Sequence, residues 1–192
     1  MAVPDIHPET NLPNPTIHIT AHNPDGTAKV LSSYKSPGKE YPGITTHHHL
    51  AYTTASMPVE LSEDVDVKLH QDYEKSGNLA IVKPNGTVCR LVDIGPGNPP
   101  AMHRTQSLDY GVVIAGEVIM ELDDGSTTLM KPGDVAVQRG TNHAWKNPSP
   151  TQWARMLFVL QDCKPIYVGG QRFKEDLGIH GKKIFPDSGN DA

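Results

Sequence analysis

The sequence predicts an all-β domain, a sandwich or closed barrel with a short helix added. Three observations carry that expectation. The apolar runs are short and alternate with polar residues, as half-buried strands do. Gly and Pro number 17 each, which suits a chain that turns often. Turn signals recur about every 8–12 residues, the spacing of sandwiches and barrels. A length of 192 residues suits one structural domain.

Residues 1–15 carry four prolines and read as an extended arm, one that could wrap a neighbouring subunit. Thr16–Thr20 alternates as a strand, Asn23-Pro-Asp-Gly26 is a turn, and Ala28–Ser32 is the return strand. Residues 36–43 are loop, and Ile44–Thr54 reads as a strand. Ser62 is placed to cap a helix, with acids following and Val65–Tyr73 as its body. Leu79–Val82 and Thr87–Ile94 flank Asn85-Gly86, a hairpin signal. Strand patterns continue at 109–115, 118–122, 127–130, 134–138, 143–147 and 153–160, roughly ten strands in all. Beyond them, Gly169-Gly170 and a short helical turn near Lys174–Leu177 belong to a polar covering tail. The expected organisation is an N-terminal arm, added strands and short helix over 1–78, a barrel over 79–163 and the tail over 164–192.

The formal net charge is -5 without a basic face, which argues against nucleic acid as a partner. Cys89 and Cys163 make no disulfide framework and fit a reducing compartment as apolar fillers. No apolar run approaches the ~20 residues of a spanning helix, and the N-terminus lacks a signal-peptide pattern. The expected location is the cytoplasm, with no membrane partner.

The chemistry concentrates between Gly95 and Asn147. Residues 103, 105, 107 and 109 share a parity, so a continuous strand turns His103 and Asp109 to one face. His143 and Trp145 form a second such pair on another strand. Two imidazoles and a carboxylate are the minimum set for a mononuclear metal with open positions. The same set suffices for metal-free acid–base work. Thr105, Val113 and Trp145 are assigned to the substrate pocket. Arg104 and Tyr110 have the opposite parity and belong on the outer face, under the N-terminal strands. In His47-His48-His49 at most His47 and His49 share a face, and a surface or interface strand is the expected setting. Glu63, Asp64 and Asp66 are a solvated helix start.

These residues resemble the two motifs of the cupin superfamily. Gly97, His103, Asp109 and Gly116 stand in register with the first motif. Gly133, Gly140, His143 and Asn147 stand for the second, with Gln138 where proline is usual. Thr105 stands where the family has its second histidine, and Asp109 where it has glutamate. The resemblance covers about 79–160 and implies a double-stranded β-helix, or jelly roll, with a ligand in its mouth. The wording of 102–111 and 138–145 is similar to small fungal cupins of polyketide clusters, including salicylaldehyde-type ones, which are labelled oxidoreductases. That implies a small, fairly apolar aromatic or polyene substrate.

Three readings follow. One is a metalloenzyme, an oxidoreductase by preference, with Fe, Mn, Ni, Cu or Zn held by His103, Asp109 and His143 and no nucleotide cofactor. One is a metal-free cyclase, isomerase or dehydratase in which a histidine moves a proton and Asp109 tunes it. One is a non-catalytic small-molecule-binding protein. The added strands and the arm imply a homodimer, because edge strands need cover.

Overall fold

The computed structural model describes residue 10 and residues 12–191. The other residues of the arm therefore lie outside the described part. The N-terminal hairpin forms as expected: β1 (Thr16–His22) pairs antiparallel with β2 (Ala28–Lys35). Its turn has Gly26 at φ 84, and the Asp25 carboxylate accepts from the Thr27 amide and hydroxyl. Next come a two-residue strand β3 (Lys39–Glu40) and β4 (Thr46–Thr53). The helix α1 (Val65–Ser76) follows a 3-10 turn at Ser62–Asp64.

Ser62 does not cap that helix. Glu63 and Asp64 take left-handed backbone angles, φ 55 and 54, and no side chain caps either helical start. Asp66 is buried rather than solvated, accepting a hydrogen bond from the Tyr52 hydroxyl at 2.5 Å.

The barrel strands are β5 (Thr87–Ile94), β6 (Ser107–Ala115), β7 (Val118–Leu122), β8 (Thr127–Met130), β9 (Val135–Arg139), β10 (His143–Lys146) and β11 (Ala154–Asp162). They form a six-stranded sheet ordered β3-β4-β5-β11-β6-β9 and a three-stranded sheet ordered β10-β7-β8. The core joins the two. Val88, Val92, Ile94, Val113, Ala136, Met156, Phe158 and Leu160 of the larger sheet pack with Val118 and Met130 of the smaller. The alternation that predicted the strands is what places these side chains inward.

Leu79–Val82 is not a strand. The turn at Asn85-Gly86 is real, with Asn85 at φ 59, but β5 pairs with β4 on one side and β11 on the other. With both edges of β5 taken, residues 79–82 cannot join the ladder. The Ala80 and Ile81 carbonyls instead accept from the Arg90 guanidinium at 2.7 and 3.2 Å.

The far face of β4, β5 and β11 is buried as well. Asp93, at 0% exposure, receives Arg155 in a two-pronged ion pair, with Nε and Nη2 at 2.5 and 2.7 Å. Arg155 Nη1 also donates to the Pro13 carbonyl at 2.7 Å, fixing the chain just before β1 to the barrel. Burial pushes the Asp93 carboxyl up, but the Arg155 and His49 side chains outweigh it and hold the group below its usual range.

After β11 the sequence signals shift. Gly169-Gly170 is the turn of a hairpin, β12 (Ile166–Val168) with β13 (Gln171–Phe173). The short helix α2 (Gly178–Gly181) lies later than the expected 174–177, because Asp176 is used in a backbone bridge to Arg104. Arg104 is therefore covered by the tail rather than by N-terminal strands. Its Nε donates to the Lys174 carbonyl at 2.9 Å, and its guanidinium lies 4.8 Å from the Phe173 ring centroid. Cys89 and Cys163 are free thiols, each only partly buried.

Candidate functional site

The continuous strand expected through residues 103–109 is interrupted. β6 begins at Ser107, and the chain bends ahead of it at Gln106. Gln106 is buried and donates to the Cys163 and Asn190 carbonyls, which hold the chain in this bend. His103 nonetheless reaches the site, by a different route. It forms an isolated antiparallel bridge with His143, each amide donating to the other's carbonyl at 2.9 Å. That bridge brings the imidazoles into tilted contact, with ring centroids 4.5 Å apart and planes at 48°.

The two rings are held alike. His103 Nδ1 lies 2.9 Å from the Ala101 carbonyl, and His143 Nδ1 lies 2.9 Å from the Thr141 carbonyl. A carbonyl only accepts, so each Nδ1 carries the proton and each Nε2 keeps its lone pair. Burial drives both imidazoles towards the neutral form. His143 is lowered to about 3, its burial reinforced by the neighbouring His103, and His103 is lowered by burial against the pull of its Ala101 contact.

Asp109 stands on β6 between β9 and β11. Thr105 Oγ1 donates to its Oδ2 at 3.4 Å, and Ser107 Oγ donates to Thr105 Oγ1 at 2.8 Å. Oδ1 is buried with no partner. Burial raises the Asp109 pKa to about 6, more than the Ser107 and Thr105 hydroxyls and the Arg90 charge lower it. A carboxyl in that range exchanges its proton near neutrality.

His103, His143 and Asp109 line one open-mouthed cavity with about 980 Å³ of empty space, solvent at the mouth included. Its walls are largely apolar, with the Trp145 and Phe158 rings in tilted contact, centroids 5.4 Å apart. Trp145 lines the cavity. Thr105 and Val113 do not: Thr105 is behind Asp109, at 2% exposure, and Val113 is in the core at 1%. Tail residues Leu177, Ile184 and Phe185 close one side.

Two polar wall residues escaped the sequence reading. His48 faces the cavity, and burial first, then the Arg90 charge, lowers its pKa to about 3. It is His47 and His49 that face away, both buried, so of the surface or interface setting expected the surface one does not hold. Arg90 also lines the cavity. Its signal was present in Val88-x-Arg90-x-Val92-x-Ile94, a cation in the inward phase of an apolar strand.

The three-residue metal set is not assembled. Among the described residues, no three His, Cys, Asp or Glu side chains are grouped to hold a metal ion. The two Nε2 lone pairs suit a metal, but Asp109 does not complete their shell, so the residues present do not fit a two-histidine, one-carboxylate centre.

The family model for the cupin domain matches residues 90–160, the span that carries β5 to β11 and the histidine pair. The oryzines biosynthesis cluster protein J of Aspergillus oryzae is 44% identical over 172 residues, 89% of this chain and 96% of that one. The phomopsin biosynthesis cluster protein D of Diaporthe leptostromiformis is 42% identical over 165 residues, 85% of this chain and 86% of that one. The cupin-domain-containing oxidoreductase fogC of Aspergillus ruber is 37% identical over 188 residues, 92% of this chain and 86% of that one. With the two-sheet barrel and the cavity between its strands, these likenesses establish that the chain belongs to the cupin superfamily, alongside proteins of fungal biosynthesis clusters.

Proposed function

We propose that this cupin is an enzyme that moves protons on a small, mostly apolar organic intermediate of a biosynthetic pathway. The observation that supports this most is the pairing of one proton-exchanging carboxyl, Asp109, with two neutral imidazoles in one apolar cavity. Asp109 acts as the general acid–base, since its pKa lies nearest to neutrality. His103 and His143 act as hydrogen-bond acceptors through Nε2, holding a substrate hydroxyl or enol beside the carboxyl. A histidine titrating near 3 is too weak a base to lead, so the carboxyl and imidazole roles are the reverse of those in the metal-free reading of the sequence. Isomerisation, cyclisation and dehydration all lie within reach of such a site.

Deuterium exchange tests the reading without knowledge of the natural substrate. The protein is incubated in D₂O with small enolisable acids, aldehydes and ketones, and label at carbon is followed by mass spectrometry. Exchange is expected for compounds that bind, and it should fall about 10²–10⁴-fold in Asp109→Asn. His143→Ala should weaken it through binding. If every bound compound stays unlabelled, or Asp109→Asn exchanges like the wild type, the proton-transfer role is wrong.

A second reading is metal-dependent oxidation. It is favoured by the free Nε2 pair, because metal-ligating histidines commonly donate the other ring nitrogen to a carbonyl, and by relatives named oxidoreductases. An Fe, Mn, Ni, Cu or Zn ion that raises the melting temperature of wild type but not of His143→Ala would favour this reading over the first.

A further inference from the structure

Two arginines are buried in this barrel, and they are treated differently. Arg155 is satisfied on every side, by the Asp93 carboxylate and the Pro13 carbonyl. Arg90 is 7% exposed, and no carboxylate forms an ion pair with it among the described residues. Its hydrogen bonds all run through Nη2, to the Ala80 and Ile81 carbonyls. Nε is buried without a hydrogen-bond partner, and no hydrogen bond of Nη1 is present among the described residues. The guanidinium carbon lies over the Phe185 ring, 5.8 Å from its centroid.

A buried cation with donors to spare is costly unless an anion completes it. Arg90 lines the same cavity as His103, His143 and Asp109, among side chains that are otherwise mostly apolar. We propose that Arg90 is the anchor for a carboxylate on the ligand of this cavity, making the ligand an apolar skeleton that ends in a carboxylic acid. The planar guanidinium presents donors in the fork that matches a carboxylate. The apolar walls, Trp145 and Phe158 among them, take the skeleton. The ligand then lies with its acid at Arg90 and the rest of its length within reach of Asp109 and the imidazoles. This assignment rests on the reading of the cavity as the substrate site, and it adds the substrate class.

Binding of cinnamate and of cinnamamide, compared by calorimetry on the full chain, tests it. The two probes share shape and differ in charge. Cinnamate is expected to bind the wild type at least tenfold more tightly. Arg90→Met should remove that preference, while Arg90→Lys, which keeps the charge but not the fork, should retain part of it. Should Arg90→Met fail to fold, the probe pair on wild type and Arg90→Lys still decides. Equal binding of the probes, binding of neither at millimolar concentration, or a preference that survives Arg90→Met overturns the assignment. Deuterium exchange separates the two claims. Exchange without a carboxylate preference removes the role of Arg90 alone. A preference without exchange on any bound acid upholds Arg90 and removes the proton-transfer reading.

Discussion

Asp109→Asn is expected to make this protein more stable at neutral pH and, at the same time, to remove its proton-transfer activity. The sign follows from the direction of the pKa shift. The folded protein holds the Asp109 proton to about 6, against 3.8 as the ordinary value. Its contribution is therefore fully stabilising below 3.8 and is lost as pH rises through about 6. Above that, an ionised carboxylate sits in an apolar wall with Oδ1 unpartnered, at a cost of about 2–3 kcal/mol. The amide of Asn removes the charge and still accepts from Thr105. A rise in melting temperature of roughly 4–12 °C at pH 7.5 is expected, shrinking to nothing near pH 4. His143 has the opposite slope. Lowered to about 3, it contributes stability above 6.5 that is lost as pH falls. Asp109→Asn therefore unmasks a plain acid destabilisation. A variant less stable than wild type at both pH values would contradict this account of Asp109.

Asp93→Ala is expected to have the largest structural effect of any single polar substitution. Asp93 is fully buried, and Arg155 lies against it at 5% exposure. Removing the carboxylate strands the guanidinium, and removing one partner of a buried pair costs about 3–5 kcal/mol. The loss also frees the Pro13 contact that fixes the entry to β1. Urea unfolding followed by tryptophan fluorescence measures it, and a loss under about 1 kcal/mol would show the pair to be a bystander.

Much of the fold was legible because strand alternation and turn chemistry act locally. The Asn23–Gly26 turn and the runs from β6 to β11 needed only nearest neighbours to be read. What failed depended on distant partners. Leu79–Val82 has a strand composition, but β4 had already taken the edge of β5. Ser62 has capping chemistry, yet the backbone enters α1 through left-handed residues. The short helix moved because Asp176 pairs with Arg104 across the chain.

The candidate site divides the same way. His103, Asp109, His143 and Trp145 were named by motif and parity, and all four line the cavity. The path was misjudged, since a bend at Gln106 replaces the continuous strand and a backbone bridge brings His103 to His143. Thr105 and Val113 were assigned from parity and position, which give a face but not a depth. Arg90 and His48 belong to strands outside the two histidine segments, and only the assembled sheet brings them to the wall.

The central claim is a division of labour, with two neutral imidazoles of fixed tautomer and one carboxyl titrating near neutrality. NMR of protein labelled with ¹⁵N in histidine and ¹³C in aspartate measures it directly as pH is varied. The account predicts Nδ1–H tautomers for His103 and His143 at pH 7, no protonation of His143 by pH 5, and an Asp109 midpoint near 6. Charged imidazoles at pH 7, Nε2–H tautomers, or an Asp109 midpoint near 4 would contradict it.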